Sequence, residues 1–191
     1  PTGIQSLDDK IMGLMQGHFT VIKAPTGIGK TEVMRYLEYN LIQRDVPFAS
    51  WHLEETKLRS LLGLVSYKLG MNVTRRDLID AGGATEQVED AIRQIAANEC
   101  IYQFFLGDGQ GTEELCEQIR YFREACGVRY VFFEPIQDVV SGRSESSKEE
   151  LLSDLSVRLS KLAAELNVGI ITIAHTNDDG DPKYCKMIGQ R

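Results

Sequence analysis

No apolar run in this 191-residue chain approaches the ~20 residues that a membrane-crossing helix needs, and no secretory leader opens it, so a cytoplasmic protein with no membrane partner is expected. Cysteine is sparse. Cys100, Cys116, Cys126 and Cys185 form no CxxC pair and no Cys/His cluster at zinc spacing, which argues against a disulfide scaffold or a zinc fold and predicts free thiols in a reducing compartment. Positive charge is in deficit, with 21 Lys and Arg against 28 Asp and Glu for a net charge of -7. That excludes coating nucleic acid by bulk charge but leaves a local basic groove, or a pore lined by loops, open. Internal repeats and low-complexity tracts are lacking too, which sets aside solenoids and linkers. The first residue is Pro1 rather than Met, so residues 1–191 are expected to be one domain of a longer protein.

What is present is a composition able to build one real core, 42% hydrophobic and 26% charged. Short apolar runs at 19–23, 48–53, 101–106, 129–134 and 168–174 read as strands, and helical periodicity fills the stretches between them. Residues 1–17 read as a lead-in packed beside the turn that follows the first strand. Leu58, Leu61, Leu62, Val65 and Leu69 form one helical stripe; Leu115, Ile119, Phe122 and Cys126 form another; Leu151, Leu155, Leu159, Leu162 and Leu166 form a third. Thr74, Thr85 and Thr112 read as helix caps, and Ser146 with Glu149 as a capping box. Strands alternating with helices, three of them almost continuously apolar, predict an α/β fold with a mostly parallel sheet and helices on both faces.

The chemistry is signalled by Ala24-Pro25-Thr26-Gly27-Ile28-Gly29-Lys30-Thr31, placed between the first strand and a helix read as 32–44. This is a phosphate-loop pattern with alanine at the first glycine position. Backbone N–H groups and the helix N-terminus would cradle phosphates, Lys30 would reach the β- and γ-phosphates, and the Thr31 hydroxyl would ligate Mg2+. In parallel sheets ligands sit at the C-terminal strand ends, and those ends here carry Lys30-Thr31, Glu54, Glu134 and His175. Hydrolysis of a nucleoside triphosphate needs its phosphates and Mg2+ held, a water oriented in line and developing charge stabilised. Glu54 is placed to polarise that water, Glu134 to support Mg2+ and His175 to contact the γ-phosphate. Each has a plainer reading: Glu54 as a solvated acid at a helix start, Glu134 as a strand-end carboxylate, His175 as a satisfied structural histidine.

The order Thr2-Gly3-Ile4 and Leu7-Asp8, the loop 24–31, Leu53-Glu54-Glu55, then Phe132-Phe133-Glu134-Pro135-Ile136-Gln137-Asp138 with Ser141-Gly142, and finally Ile173-Ala174-His175 resembles the RecA-like P-loop NTPase core of DnaB-type replicative helicases. The likeness covers nearly the whole chain and looks closest to the helicase half of phage primase-helicases. It implies that Glu54 is the catalytic base, that Glu134 supports Mg2+, that His175 senses the γ-phosphate, and that Gln190 couples nucleotide to DNA. It implies a homohexamer on single-stranded DNA that hydrolyses ATP or another NTP with Mg2+, in the cytoplasm of a bacterial or phage-infected cell, with a fused or separate primase as a further partner. Loops 141–148 and 176–186 would face the DNA, offering Arg143, Lys148, Lys183 and Lys186 as phosphate contacts, diluted by Glu145, Asp178, Asp179 and Asp181. Two features depart from the family pattern: Glu134 stands where most members carry aspartate, and the chain stops before the segment that supplies an arginine finger to the neighbouring subunit. A RecA-like recombinase or regulatory ATPase without unwinding, and a P-loop metabolite kinase, remain the competing readings.

Overall fold

Side chains along β4 (Tyr130–Glu134) alternate between two cores. Val131 and Phe133 pack to one side of the sheet, while Phe132 and Glu134 occupy the other. The computed structural model describes residues 1–25, 27–52, 55–74, 85–104, 111–140 and 145–175. Five strands, β1 (Phe19–Ala24), β2 (Phe48–His52), β3 (Ile101–Gln103), β4 and β5 (Gly169–His175), pair in parallel in the order β1-β5-β4-β2-β3. One core joins Ala49, Trp51, Val131, Phe133 and Ile170 to α5 (Thr112–Cys126), the short α6 (Ile136–Val139) and α7 (Glu145–Leu166). The other joins Phe48, Phe132, Ile171 and Ile173 to α2 (Lys30–Ile42), α3 (Lys57–Leu69) and α4 (Thr85–Ala96). The expected two-faced α/β sheet is thus observed. Fully buried rings such as Phe132 and Phe133 each contribute about 1.5–3 kcal/mol of transfer free energy.

Several local expectations shift. The lead-in forms α1 (Gln5–Ile11), where the Asp8 carboxylate accepts the Thr2 and Gly3 amides at 2.6 and 3.3 Å. It lies against α2 rather than the phosphate loop: the Tyr36 hydroxyl donates to Gly3 O at 3.0 Å and Arg44 Nη1 to Pro1 O at 3.1 Å. Leu58 is exposed, because α3 turns Ser60, Gly63, Leu64 and Val65 inward instead. In α7 the buried stripe runs through Leu152, Leu155, Leu159 and Leu162, with Leu151 and Leu166 at its margins. Thr112 is the first residue of α5, not its cap; the free amide of Gly111 is taken by Glu114, 2.9 Å away. Helix α7 begins at Glu145, which places Ser146 within its first turn. No described helix is long and apolar enough to cross a membrane, and the described cysteines Cys100, Cys116 and Cys126 are free thiols.

The strand order is what gathers the site. Four neighbouring strands, β1, β5, β4 and β2, end at Ala24, His175, Glu134 and His52, and the register places Ala24 beside His175 and Glu134 beside His52.

Candidate nucleotide site

Between β1 and α2 the chain reverses through Gly27 and Gly29, at φ 86° and 92°, a region that side-chain-bearing residues rarely adopt. Among the described residues a Cβ built on either would meet nothing within 4 Å beyond its chain neighbours, so the glycines are dictated by backbone conformation. Helix α2 starts at Lys30, two residues earlier than the sequence pattern suggests, so Lys30 and Thr31 both lie in its first turn. There the unpaired N–H groups and the positive end of the helix dipole favour an anion. Lys30 is 8% exposed and folds back across its own loop, donating from Nζ to Pro25 O at 2.6 Å. The Thr31 hydroxyl donates to Glu134 Oε2 at 3.1 Å, joining the helix start to the end of β4. Hydroxyl and carboxylate oxygens are the hard donors that suit Mg2+, which commonly takes few protein ligands and completes its shell with water and phosphate. Among the described residues no three His, Cys, Asp or Glu side chains gather as a metal-binding group.

The other oxygen of Glu134 is engaged by a histidine. His52 Nδ1 stands 2.6 Å from Glu134 Oε1, and its Nε2 stands 3.0 Å from Glu38 Oε1 on α2. Glu38 is fully buried, Glu134 is 2% exposed and His52 is 7% exposed. Burial opposes a charge on His52, but the negative charge of Glu38 and the hydrogen bonds to Glu134 and Glu38 outweigh it and raise the imidazole to about 10. Glu134 therefore spans from β4 to both α2 and β2.

A second ionic link ties α2 to the start of α3. Arg35, 4% exposed, pairs with Glu32 and with Glu55, and Glu55 also faces Arg59 Nε at 3.5 Å. The guanidinium passes over Gly63, where an added Cβ would collide with Arg35 Nε and Cδ. Gly63→Ala is therefore expected to destabilise the domain by about 1–3 kcal/mol, as small-to-large changes in a packed site do. Denaturant unfolding of Gly63→Ala in the wild-type and Arg35→Ala backgrounds checks this: the penalty should shrink once the arginine side chain is gone, and an equal penalty in both would place the strain elsewhere.

His175 closes β5, and its backbone is clasped by the Gln137 amide, which donates to His175 O at 3.2 Å and accepts from His175 N at 3.4 Å. Of the residues expected from sequence, the structure brings Ala24, Pro25, Gly27, Ile28, Gly29, Lys30, Thr31, Glu134 and His175 to one end of the sheet. Lys148 lies in the first turn of α7. Thr26, Glu54, Arg143, Lys183, Lys186 and Gln190 lie outside the described residues. Sequence reasoning passed over His52, Glu38 and Arg35. A signal was present: Thr31, Arg35 and Glu38 follow helical spacing beside the apolar positions Met34, Leu37 and Leu41, and His52 continues the inward alternation of Phe48 and Ser50. Polar residues recurring on two buried faces require partners, and here they supply one another.

Comparison with known proteins converges on one group. The chain is 26% identical over 192 aligned residues to a probable plasmid replicative DNA helicase of Chlamydia psittaci, covering 96% of this chain and 41% of that protein. It is 23% identical to the replicative DNA helicase DnaB of Leifsonia xyli subsp. xyli, covering 98% and 41% respectively. The chain thus spans about two-fifths of the length of these curated relatives. Among solved structures, a DnaB-like replicative helicase described together with its interactions with primase superposes with a TM-score of 0.77 at 23% identity, covering 94% of this chain and 43% of that one. The fold is accordingly the RecA-like one expected. The family model for the DnaB-like helicase C terminal domain matches residues 1–185, and the chain belongs to that family.

Proposed function

We propose that this chain is the motor of a replicative DNA helicase, binding ATP or another NTP with Mg2+ and hydrolysing it to move a homohexamer along single-stranded DNA and part the duplex during replication. The observation that carries the reading is the Thr31 hydroxyl set 3.1 Å from the Glu134 carboxylate, directly after a glycine turn, in a chain of this family. Gly27 and Gly29 would leave room for the phosphates, the α2 N-terminus favours their charge, and Lys30 would exchange Pro25 O for phosphate oxygens. Thr31 and Glu134 would hold Mg2+, which when bound neutralises charge on the phosphates. We assign Glu54 as the base that orients water, His175 as the γ-phosphate sensor and Gln190 as the coupling residue. A cation from a neighbouring copy would complete the site, and a primase would be a further partner. A cytoplasmic location belongs to the same reading.

Hydrolysis and unwinding, measured with and without single-stranded DNA across the NTPs in a protein carrying the remaining segments of its relatives, test the proposal. DNA-stimulated hydrolysis without strand separation would favour the recombinase reading, and no stimulation would favour a kinase. If Arg143, Lys148, Lys183 and Lys186 all contact DNA phosphates, the log affinity for single-stranded DNA should fall with log salt at a slope of about -3 per subunit. A flat salt response would remove those loops from the DNA interface.

A further inference from the structure

The parallel register sets His52 directly beside Glu134, and both side chains lie on the sheet face that α2 covers. A carboxylate can only accept hydrogen bonds, so a ring with a carboxylate oxygen at 2.6 Å from Nδ1 and another at 3.0 Å from Nε2 donates from both nitrogens. With Glu134 Oε1 held in this way, Oε2 is the oxygen turned to the Thr31 hydroxyl, 3.1 Å away. A glutamate has one more rotatable bond than an aspartate, and that freedom must be restrained before its carboxylate can serve a metal with strict geometry. Glu38, fully buried on α2, orients the ring from the far side. Arg35 also contributes positive charge from α2 toward Glu134.

We infer that His52 is a positioning residue for Mg2+-nucleotide binding, fixing the Glu134 carboxylate against Thr31 while Glu38 fixes the imidazole. The inference rests on the reading of Glu134 as the Mg2+-supporting acid. The three side chains form a continuous chain from α2 through β2 to β4, and nothing in the phosphate-loop pattern itself requires it. It makes a longer carboxylate usable at this strand end.

Binding of AMP-PNP to the 191-residue chain, measured by calorimetry in Mg2+ and in EDTA, gives the gain in affinity that Mg2+ confers. In a Glu38→Met background, which removes the buried far acid, His52→Leu is expected to lower that gain by about 10-fold or more, as loss of a group supporting a metal ligand commonly does. Affinity in EDTA should be unchanged, because Lys30 and the loop are untouched. His52→Asn in the same background should restore most of the gain, since its amide nitrogen falls where Nδ1 donates to Glu134. If His52→Leu shifts only the melting temperature and leaves the gain intact while Glu134→Gln lowers it, His52 is structural and the inference is overturned. If Glu134→Gln itself leaves the gain intact, the Mg2+ reading of Glu134 fails and the inference falls with it.

Discussion

Lys30→Ala is expected to abolish Mg-nucleotide binding. Lys30 directly follows the glycine turn; it is 8% exposed, and its ammonium is held against Pro25 O at 2.6 Å, at the loop rather than out in solvent. Exchanging a carbonyl for phosphate oxygens costs little desolvation beyond what folding has already imposed. Removing one partner of a buried, hydrogen-bonded charge pair costs about 2–5 kcal/mol, which is roughly a 30- to 4,000-fold loss of affinity. The domain itself should survive, because alanine is a good helix former and the hydrogen bond to Pro25 O is worth about 1 kcal/mol. Calorimetry with ATP and Mg2+, alongside thermal melting, separates the two effects. Tight binding retained by a folded Lys30→Ala protein would sink the phosphate-loop assignment.

Glu54→Gln is expected to keep nucleotide binding and to lose turnover by about 10²- to 10⁴-fold, the usual contribution of a general base. Glutamine keeps the shape but cannot take a proton. Residues on either side in the chain are tied to α2: His52 through Glu38, and Glu55 through Arg35. Such anchoring would make the base responsive to the helix that opens the phosphate site. It also bears on the alternative base. Glu55 is committed to Arg35 and faces Arg59, whereas a base must be free to meet water. Single-turnover hydrolysis in an oligomer-forming version decides between them, since undiminished turnover in Glu54→Gln with loss in Glu55→Gln would move the base one residue along.

Much of the architecture was legible from local pattern. Short apolar runs marked β1, β2, β4 and β5 to within a residue or two, and helical periodicity marked α2, α5 and α7. Misreadings came where a local rule met a tertiary demand. Leu58 satisfies the apolar spacing of α3 yet faces solvent, because the buried face of α3 runs through Ser60, Gly63 and Leu64, with Gly63 against the Arg35 side chain that pairs with Glu55. Thr112 is a good capping residue on its own, but Gly111 and Glu114 do the capping. In the site, Lys30 and Thr31 were legible because glycine spacing before a Lys-Thr pair has a direct backbone reason. His52 was not, because its inward alternation marks burial alone, while its partners Glu38 and Glu134 lie 14 and 82 residues away.

The sequence by itself determined the alternation of strand and helix, the phosphate loop and the family, since each is written in short-range spacing that backbone geometry enforces. Only the tertiary structure decided the strand order, which sets the ends of β1, β5, β4 and β2 side by side, and with it the pairing of Thr31 with Glu134 across 103 residues and of His52 with Glu134 across 82. The physical reason is burial. Glu38, His52 and Glu134 would each be an ordinary solvated side chain in an open segment, but enclosed together between α2 and the sheet they draw hydrogen bonds from one another and from Thr31.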